Sequence, residues 1–238
     1  MCFLIFTRSS NSMQFIKHFF HSSRLLLDRD LDAICAEGKV LEKDPRGIKV
    51  VLLTNGNILK IFRARNLFSG SRVYSHARRF CRNAARLHDL GIPTVKIYTL
   101  FHLEKSGHTA VLYKPLEGES IRNLVKQNQS RIQETANKFG VFLSTLHEKG
   151  IHFHSLHTGN ILLLPNNDFG LIDISDMTIY PWALNCSTRL RSFKLLCKSQ
   201  EDFRTLGLGY WQDMLSTYLD LAHVKTSFKH RLLSFKPF

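Results

Sequence analysis

The sequence has no long hydrophobic run and no closely spaced cysteines. The apolar stretch at residues 1–6 ends before Arg8, far short of the roughly 20 residues that span a bilayer, and no basic region precedes it. We therefore expect neither a transmembrane helix nor a signal peptide. The five cysteines are odd in number and widely scattered, which excludes the paired spacings of zinc sites and redox motifs. They are predicted to be buried thiols in a reducing compartment: Cys2, Cys35, Cys81, Cys186 and Cys197.

Acidic residues are also scarce. The chain has 19 Asp and Glu against 33 Lys and Arg, which gives a formal net charge of +14. Its 238 residues are 44% hydrophobic, so a disordered or fibrous protein is excluded and a globular, two-lobed protein is predicted. The charge favours a polyanionic partner such as nucleic acid, a phosphorylated substrate or an anionic membrane surface.

The first half is predicted to be rich in strands. Residues 1–35 show no clean period and are assigned to an uncertain N-terminal extension. Asn55-Gly56 predicts a type I′ hairpin turn, because both central positions of that turn need positive φ. Apolar residues at helical spacing predict a helix over 71–90 with an arginine stripe on another face. Short β-branched or leucine-rich runs predict five strands, over 38–43, 48–54, 57–63, 94–103 and 109–113.

The second half is predicted to be mainly helical. Its helices are expected over 121–127 and 131–149, with a basic helical tail from about residue 186. A turn at 165–168 is expected to join two short strands, at 161–164 and 169–174. The predicted class is therefore α+β, with an N-terminal lobe at 36–115 and a C-terminal lobe at 116–238.

Three features carry chemistry in this plan. Lys60 lies on a predicted strand among apolar neighbours, where its ammonium suits a nucleotide phosphate. A polar loop, residues 153–160, ends in Asn160, and Asp173 follows at the end of a predicted strand. Amide and carboxylate oxygens are hard ligands of the kind that Mg²⁺ takes together with substrate phosphates.

The loop, the following Asp and the preceding strand Lys resemble the protein-kinase-like superfamily, in the branch of aminoglycoside phosphotransferases, RIO-type kinases and lipopolysaccharide core kinases. In that superfamily the loop reads H-x-D-x-x-x-x-N and a metal-binding D-F-G follows. Phe153, Ser155 and Asn160 occupy the His, Asp and Asn places, and Asp173-Ile174-Ser175 stands where D-F-G would. The Ser-Leu-His-x-Gly-Asn and Gly-Leu-Ile-Asp-Ile-x-Asp segments are similar to the bacterial toluene tolerance protein family.

The resemblance implies a bilobal kinase-like fold, with one helix in a small β-rich N-lobe, and a phosphotransferase that uses ATP and Mg²⁺. The nucleotide would be bound by Lys60 directly, and by Asn160 and Asp173 through the metal. The acceptor would face Ser155 and His157. The implied acceptor is a saccharide or a phosphate-rich group such as the lipopolysaccharide core. The implied location is cytoplasmic, with a peripheral contact to the inner membrane as a further expectation.

Three departures from the pattern bear on activity. Ser155 replaces the carboxylate that would accept the substrate proton, and a serine hydroxyl is no base near neutral pH; His157 or His154 could supply part of that role. From Lys60 to His88 there are eight Lys and Arg but no Asp or Glu, so the helix has no Glu to pair with Lys60, and Asp173 is the expected substitute. The glycine-rich phosphate loop is reduced to residues 44–47.

The leading hypothesis is thus a kinase-like phosphotransferase. The alternatives are an inactive pseudokinase that serves as a nucleotide-binding or scaffold module, favoured by Ser155, and an atypical protein kinase. No nucleic-acid module is recognisable, so nucleic acid is not the expected partner. The tail combines bases with apolar residues and predicts contact with an anionic membrane. The residues that carry this prediction are Lys225, Lys229, Arg231, Lys236, Phe228, Leu232, Leu233, Phe235 and Phe238.

Overall fold

A computed structural model of the chain describes residues 23–63, 76–104, 108–127, 130–235 and 237. These residues form two compact units. The first comprises the described residues up to Gly91 together with 95–115, and the second comprises 92–94 and the chain from Leu116 onward. The first unit is built on a six-stranded sheet and the second is mainly helical, which confirms the predicted α+β class.

The six strands of the first unit lie in the order β1-β5-β6-β4-β3-β2. Strand β1 runs parallel to β5, and every other pair in this sheet is antiparallel. The core side chains Leu26, Leu59, Ile61, Leu103 and Ala110 are buried together on this sheet. The elements are β1 (Arg24–Leu26), α1 (Asp28–Glu37), β2 (Lys39–Asp44), β3 (Gly47–Leu52), β4 (Ile58–Phe62), α2 (His76–Asp89), β5 (Lys96–Leu103) and β6 (Thr109–Lys114).

The elements β1 and α1 fall largely in the region that the sequence assigns to an N-terminal extension. Their local signal is weak, because Leu31 and Ile34 of α1 pack against the core of the sheet but neither is fully buried. Strand β1 is three residues long, and its partner β5 lies more than 70 positions later in the chain. A short strand that depends on so distant a partner has no local pattern from which it can be predicted.

The predicted hairpin between β3 and β4 is present, but its turn is of another type. Leu53 N donates to the Asn57 carbonyl at 2.8 Å, so the loop contains three residues, Thr54–Gly56, rather than two. Only Gly56 has positive φ, 78°, whereas Asn55 does not, so the type I′ prediction is wrong. The Asn55 side chain instead accepts the Asn57 N–H at 3.0 Å, which explains its place in the turn.

The second unit contains two small antiparallel sheets and five α-helices among its described residues. Strand β9 lies between β10 and β7, and β8 pairs with β11. Helix α6 is interrupted at Gly207, which has φ of 83°. The elements are β7 (Glu119–Ser120), α3 (Ile121–Lys126), a 3₁₀ helix (Ser130–Thr135), α4 (Ala136–Glu148), β8 (Ile151–Phe153), a 3₁₀ turn (Thr158–Asn160), β9 (Ile161–Leu163), β10 (Phe169–Leu171), β11 (Met177–Ile179), α5 (Cys186–Leu196), α6 (Gln200–Leu221) and α7 (Thr226–Leu233).

Helices α4 and α6 form the centre of this unit. A Cβ atom at Gly140 would lie 2.3 Å from the Met214 carbonyl oxygen, so only glycine permits this approach of the two backbones. Beside it lies a buried polar cluster in which His147 Nδ1 is 2.9 Å from the Tyr218 hydroxyl. Arg189, which is 1% exposed, donates to that hydroxyl and to Glu148. Each buried polar group of the cluster therefore has a partner.

Four of the five cysteines lie among the described residues, and all four are free thiols. Cys81 and Cys197 are buried, and burial raises the pKa of each thiol to about 12, while Cys35 and Cys186 are half-buried. The prediction of buried thiols is thus confirmed for two of them, and Cys2 lies outside the described residues. No helix in the described part of the chain is both long and apolar enough to cross a bilayer.

Candidate functional site

The polar loop between β8 and β9 carries three of the five predicted site residues. The side chain of His157 caps the 3₁₀ turn, because its Nδ1 accepts the Gly159 N–H at 3.1 Å. The His157 carbonyl accepts the Asn160 N–H at 2.9 Å. The loop is therefore closed by its own hydrogen bonds, which fix the backbone that presents Ser155, His157 and Asn160.

Asn160 is buried and held by both its backbone and its side chain. Its Nδ2 donates to the Ser155 carbonyl at 3.0 Å, and its own carbonyl accepts the Ile172 N–H at 3.0 Å. No described residue donates a hydrogen bond to the side-chain oxygen Oδ1. The amide is thus oriented by its nitrogen and offers its oxygen as a ligand.

Asp173 lies two residues after β10, next to the Ile172 peptide that bonds to Asn160. Its side chain is exposed, and its φ is 52°, in the left-handed region. That conformation costs about 1–2 kcal/mol for a residue other than glycine, although Asp tolerates it better than most. Backbone strain of this kind concentrates at functional sites. The hairpin therefore brings a hard-oxygen amide and a carboxylate onto two segments joined by a backbone hydrogen bond.

The surroundings of His157 favour the neutral form of its imidazole. Burial lowers the pKa of its imidazole, the nearby Arg122 guanidinium lowers it further, and the carboxylates of Asp173 and Asp202 raise it. Because Nδ1 accepts the Gly159 N–H, the proton of the neutral ring is on Nε2. His157 can therefore donate a hydrogen bond from Nε2, but its only basic nitrogen is engaged in the loop. This geometry argues against the predicted role of His157 as a general base.

His154, the other base considered from the sequence, is engaged as well. Its ring Nε2 lies 3.1 Å from Thr178 Oγ1 on β11, and its backbone N–H donates to the Asp176 carbonyl. The His152 ring lies 4.2 Å from that of His154, and burial lowers the pKa of His152 to about 4. The imidazole of His154 therefore contacts the β8–β11 pair.

A charged network that the sequence analysis missed anchors the loop to α6. Arg122 Nε donates to Asp202 Oδ2 at 3.2 Å, and Arg122 Nη2 donates to Ser199 Oγ at 3.3 Å. The Thr158 hydroxyl donates to the same Asp202 oxygen and lies 3.0 Å from Ser199 Oγ. A Cβ atom at Gly159 would lie 3.3 Å from Arg122 Nη1, so the guanidinium covers the 3₁₀ turn. No local pattern signals this network, because its two halves lie more than 40 residues apart in the chain.

Lys60 lies in the first unit, in the interior of the six-stranded sheet. It is paired with Val50 on β3 and Val111 on β6, and it is 9% exposed. Its Nζ lies 5.5 Å and 5.6 Å from the ring centroids of Phe62 and Phe80. The faces of these rings attract the ammonium, and Phe80 stands on α2, the helix on which the kinase pattern has a Glu. Aromatic contact with Lys60 was not predicted from the sequence.

Residues 44–47, which occupy the place of the glycine-rich loop, form the tight connection between β2 and β3. Gly47 has φ of 117°, and the Asp44 carboxylate accepts the Arg46 N–H at 2.8 Å. Arg63 forms an ion pair with Asp44 and donates to the Ile48 carbonyl. The carboxylate is thus fixed within the turn, and the pKa of Asp44 is lowered, first by the Arg46 hydrogen bond.

The arginine stripe is present on the described part of α2. Arg78, Arg79, Arg82 and Arg86 are all half-buried, and their spacing places them within one face of the helix. Burial and the neighbouring Arg82 lower the pKa of Arg86. Residues 71–75 of the predicted helix lie outside the described residues.

In the basic tail, two of the apolar side chains on which the membrane prediction depended are buried. Phe228 is 5% exposed and Leu232 is completely buried, whereas Leu233 on the same helix is 61% exposed. Phe235 is half-buried, and the side chains of Lys236 and Phe238 lie outside the description. Contact of the tail with a membrane therefore stays a prediction that rests on Leu233 and the bases alone.

Asn160 and Asp173 fit magnesium better than a transition metal. Mg²⁺ is bound through one or two protein oxygens and completes its shell with water and phosphate oxygens. In the described part of the chain, no group of three His, Cys, Asp or Glu side chains could hold a metal ion. The donor set thus suits a cation that arrives with a phosphorylated ligand.

The chain matches no protein-family model and no curated protein.

Proposed function

We propose that the protein is a phosphotransferase with a protein-kinase-like bilobal fold that uses ATP and Mg²⁺. The observation that carries the proposal is the orientation of Asn160. Its amide nitrogen is bound to the Ser155 carbonyl and its backbone to Ile172, so its free oxygen is presented beside the segment that carries Asp173. Amide oxygens are among the hard ligands that Mg²⁺ takes.

Each residue has a distinct part in this proposal. Asn160 and Asp173 would hold Mg²⁺, which when bound neutralises charge on the transferred phosphoryl group. Lys60 would bind nucleotide phosphates as a compact charge, and its flanking aromatic rings would limit the positions of the ammonium. His157 would donate its Nε2 proton to an acceptor or phosphate oxygen. The proposed acceptor is a saccharide or phosphate-rich group such as the lipopolysaccharide core. This assignment rests on the sequence resemblance to the kinase-like superfamily alone.

Ser155 would stand beside the acceptor hydroxyl without removing its proton. Phosphoryl transfer through a loose transition state depends mainly on alignment and charge neutralisation, so the reaction does not require a strong base. A general base contributes about 10²–10⁴-fold in rate. We therefore expect slow turnover.

The proposal is tested by thermal unfolding with ATP and Mg²⁺, singly and together. A ligand at about 100 times its Kd stabilises the folded state by about 2.7 kcal/mol, so the melting temperature should rise by several degrees when both are present. Asp173→Asn should abolish the rise. Asp168→Asn, at an exposed turn position in the same hairpin, should keep it. No rise in the unmodified chain at millimolar ATP and Mg²⁺ would overturn the proposal.

A catalytically silent nucleotide-binding module is the second candidate. It is favoured by Ser155 together with the engagement of His157 Nδ1 by Gly159, since these leave the loop without a free base. Binding and turnover separate the two candidates. A melting-temperature rise with ATP and Mg²⁺ but no ADP release above the rate of an Asp173→Asn preparation, across saccharide and phosphosaccharide acceptors, would favour the silent module.

A further inference from the structure

A surface pocket lies in the helical unit, between the N-terminal parts of α5 and α7. Its volume is about 600 Å³, and its base is apolar, with Phe228 and Leu184 buried. The polar side chains at its wall come from two segments of the chain, residues 184–187 and 223–231. Those that bear on its chemistry are Cys186, Ser187, His223, Lys225, Ser227 and Arg231. None of these residues belongs to the loop or hairpin described above.

The charge of this α5–α7 pocket is positive. Lys225 and Arg231 line it, and neither side chain forms an ion pair with any described residue; no carboxylate is among its lining residues. The acid that touches a lining residue is Glu148, which accepts the His223 N–H at 3.2 Å. That carboxylate is already paired with the buried guanidinium of Arg189 at 2.9 Å. Its charge is therefore largely compensated, and the lysine and arginine dominate the field in the pocket.

Neutral donors add to these cations. Helix α5 is capped by Asn185, which accepts the Thr188 N–H, whereas α7 has no side-chain cap at Lys225. Neither helix has an acidic residue in its first turn. The hydroxyls of Ser187 and Ser227 also line the pocket. The wall thus combines two cations with several uncharged hydrogen-bond donors, the combination that a multiply charged oxyanion requires.

We propose that the α5–α7 pocket is a binding site for a phosphate group. Arg231 and Lys225 supply its charge, and Ser187 and Ser227 supply neutral donors. The phosphate can come from a soluble phosphorylated molecule or from a lipid headgroup, which present the same dianionic group. This site is independent of the proposed nucleotide site, because it shares no residue with it.

The proposal is tested by titrating the full chain with inorganic phosphate and following the backbone amide resonances. At constant ionic strength, the amides of Ser187 and Ser227 should shift with a Kd on the order of 1 mM. The double variant Lys225→Gln/Arg231→Gln should weaken the binding about tenfold or more. Lys194→Gln/Lys198→Gln removes the same charge from exposed positions outside the pocket, and it should leave the Kd unchanged. Asp173→Asn should also leave the Kd for phosphate unchanged. A failure of the phosphate-site proposal can therefore be distinguished from a failure of the nucleotide-site proposal.

Vesicle sedimentation distinguishes the two sources of phosphate. Phosphatidylcholine vesicles doped with phosphatidic acid present a phosphomonoester, whereas equal doping with phosphatidylglycerol presents a phosphodiester. If the chain binds phosphatidic acid vesicles more strongly, and the Lys225→Gln/Arg231→Gln variant loses this preference, the ligand is a lipid headgroup. Equal binding to both vesicle types, with amide shifts in free phosphate, would identify a soluble ligand. Absence of the amide shifts, or the same Kd in the double variant and its control, would overturn the proposal.

Discussion

Two predicted ligand-binding groups are held in place by different means in the two units. In the first unit, Lys60 stands on a regular strand, with a buried stem and two aromatic rings facing its ammonium. In the second, Asn160 and Asp173 stand on irregular backbone that is closed by hydrogen bonds, and the network of Arg122, Thr158 and Asp202 ties their loop to α6.

The comparison shows where precision comes from in each case. A sheet fixes a side chain through its neighbours on the same face, so replacing one polar side chain leaves the backbone of the strand intact. A loop is fixed by its individual polar contacts, so removing one of them changes the geometry of several residues. The site residues of the second unit should therefore be sensitive to changes away from the ligand, whereas Lys60 should tolerate replacement without loss of stability.

The largest effect is expected at Ser155. The loop depends on its backbone carbonyl, which accepts from Asn160, so the side chain can change without breaking that hydrogen bond. Ser155→Asp should raise the turnover of ATP with an acceptor by about 100-fold, because a carboxylate supplies the missing base. ADP release under saturating ATP measures the rate. Ser155→Asn matches the shape of the Asp side chain without its charge and should give no rise in turnover. Equal rates of ADP release for the two variants would contradict the proposed site.

Removing the anchor of the loop should cost the most stability. Asp202→Ala leaves the Arg122 guanidinium and the Thr158 hydroxyl without their shared acceptor, so the free energy of unfolding should fall by about 2–3 kcal/mol. Urea unfolding measures this loss. Asp213→Ala removes an exposed carboxylate from the same helix and should change the stability by less than about 0.5 kcal/mol. Equal losses in the two variants would show that the network does not hold the loop.

Buried polar contacts of the second unit should also make its stability depend on pH. Burial, with Arg189 next in effect, lowers the pKa of His147 to about 3 from a usual value of 6.5. The unfolded chain therefore binds a proton that the folded chain excludes, and stability should be lost as the pH falls from 6.5 towards 3, by at most about 1.4 kcal/mol per pH unit. Urea midpoints at several pH values in this range measure the slope. His147→Gln should have a shallower slope, and an unchanged slope would contradict a neutral, buried His147.

The smallest change in stability is expected at Lys60. Replacing a buried charge with an apolar side chain of similar length is often neutral or stabilising. The free energy of unfolding of Lys60→Met should therefore be within about 1 kcal/mol of that of the unmodified chain, or higher. The rise in melting temperature with ATP and Mg²⁺ should nevertheless disappear. Lys49→Met, on the neighbouring strand, should retain the rise. Retention of the rise by Lys60→Met would remove Lys60 from the proposed site.

The sequence predicted the parts of the fold that depend on local pattern. The C-terminal end of helix α2, the β3–β4 hairpin and the β9–β10 hairpin were all expected within a few residues of their observed bounds, because apolar spacing and turn residues are local signals. Strand β1, helix α1 and the 3₁₀ start of the helix predicted over 131–149 were not. Strand β1 depends on a partner distant in the chain, and the apolar face of α1 is limited to a few half-buried residues.

The same division applies to the candidate site. The positions of Asn160 and Asp173 on two sides of one hairpin followed from the spacing of turn and strand residues. The capping role of His157 Nδ1 and the aromatic contacts of Lys60 did not, because they depend on side-chain direction rather than on order in the chain. Arg122 and Asp202 are 80 residues apart, and only the tertiary fold brings them together.

Paramagnetic broadening by Mn²⁺ and ATP tests the central claim most directly, since Mn²⁺ replaces Mg²⁺ at hard-oxygen sites. Substoichiometric Mn²⁺ with ATP should broaden the backbone amides of residues 155–160 and 172–174 first. Asp173→Asn should abolish this pattern, and the amides of the 165–168 turn should stay sharp in the unmodified chain. Broadening that is spread over the acidic surface, or that is the same in Asp173→Asn, would contradict a metal–nucleotide site at Asn160 and Asp173.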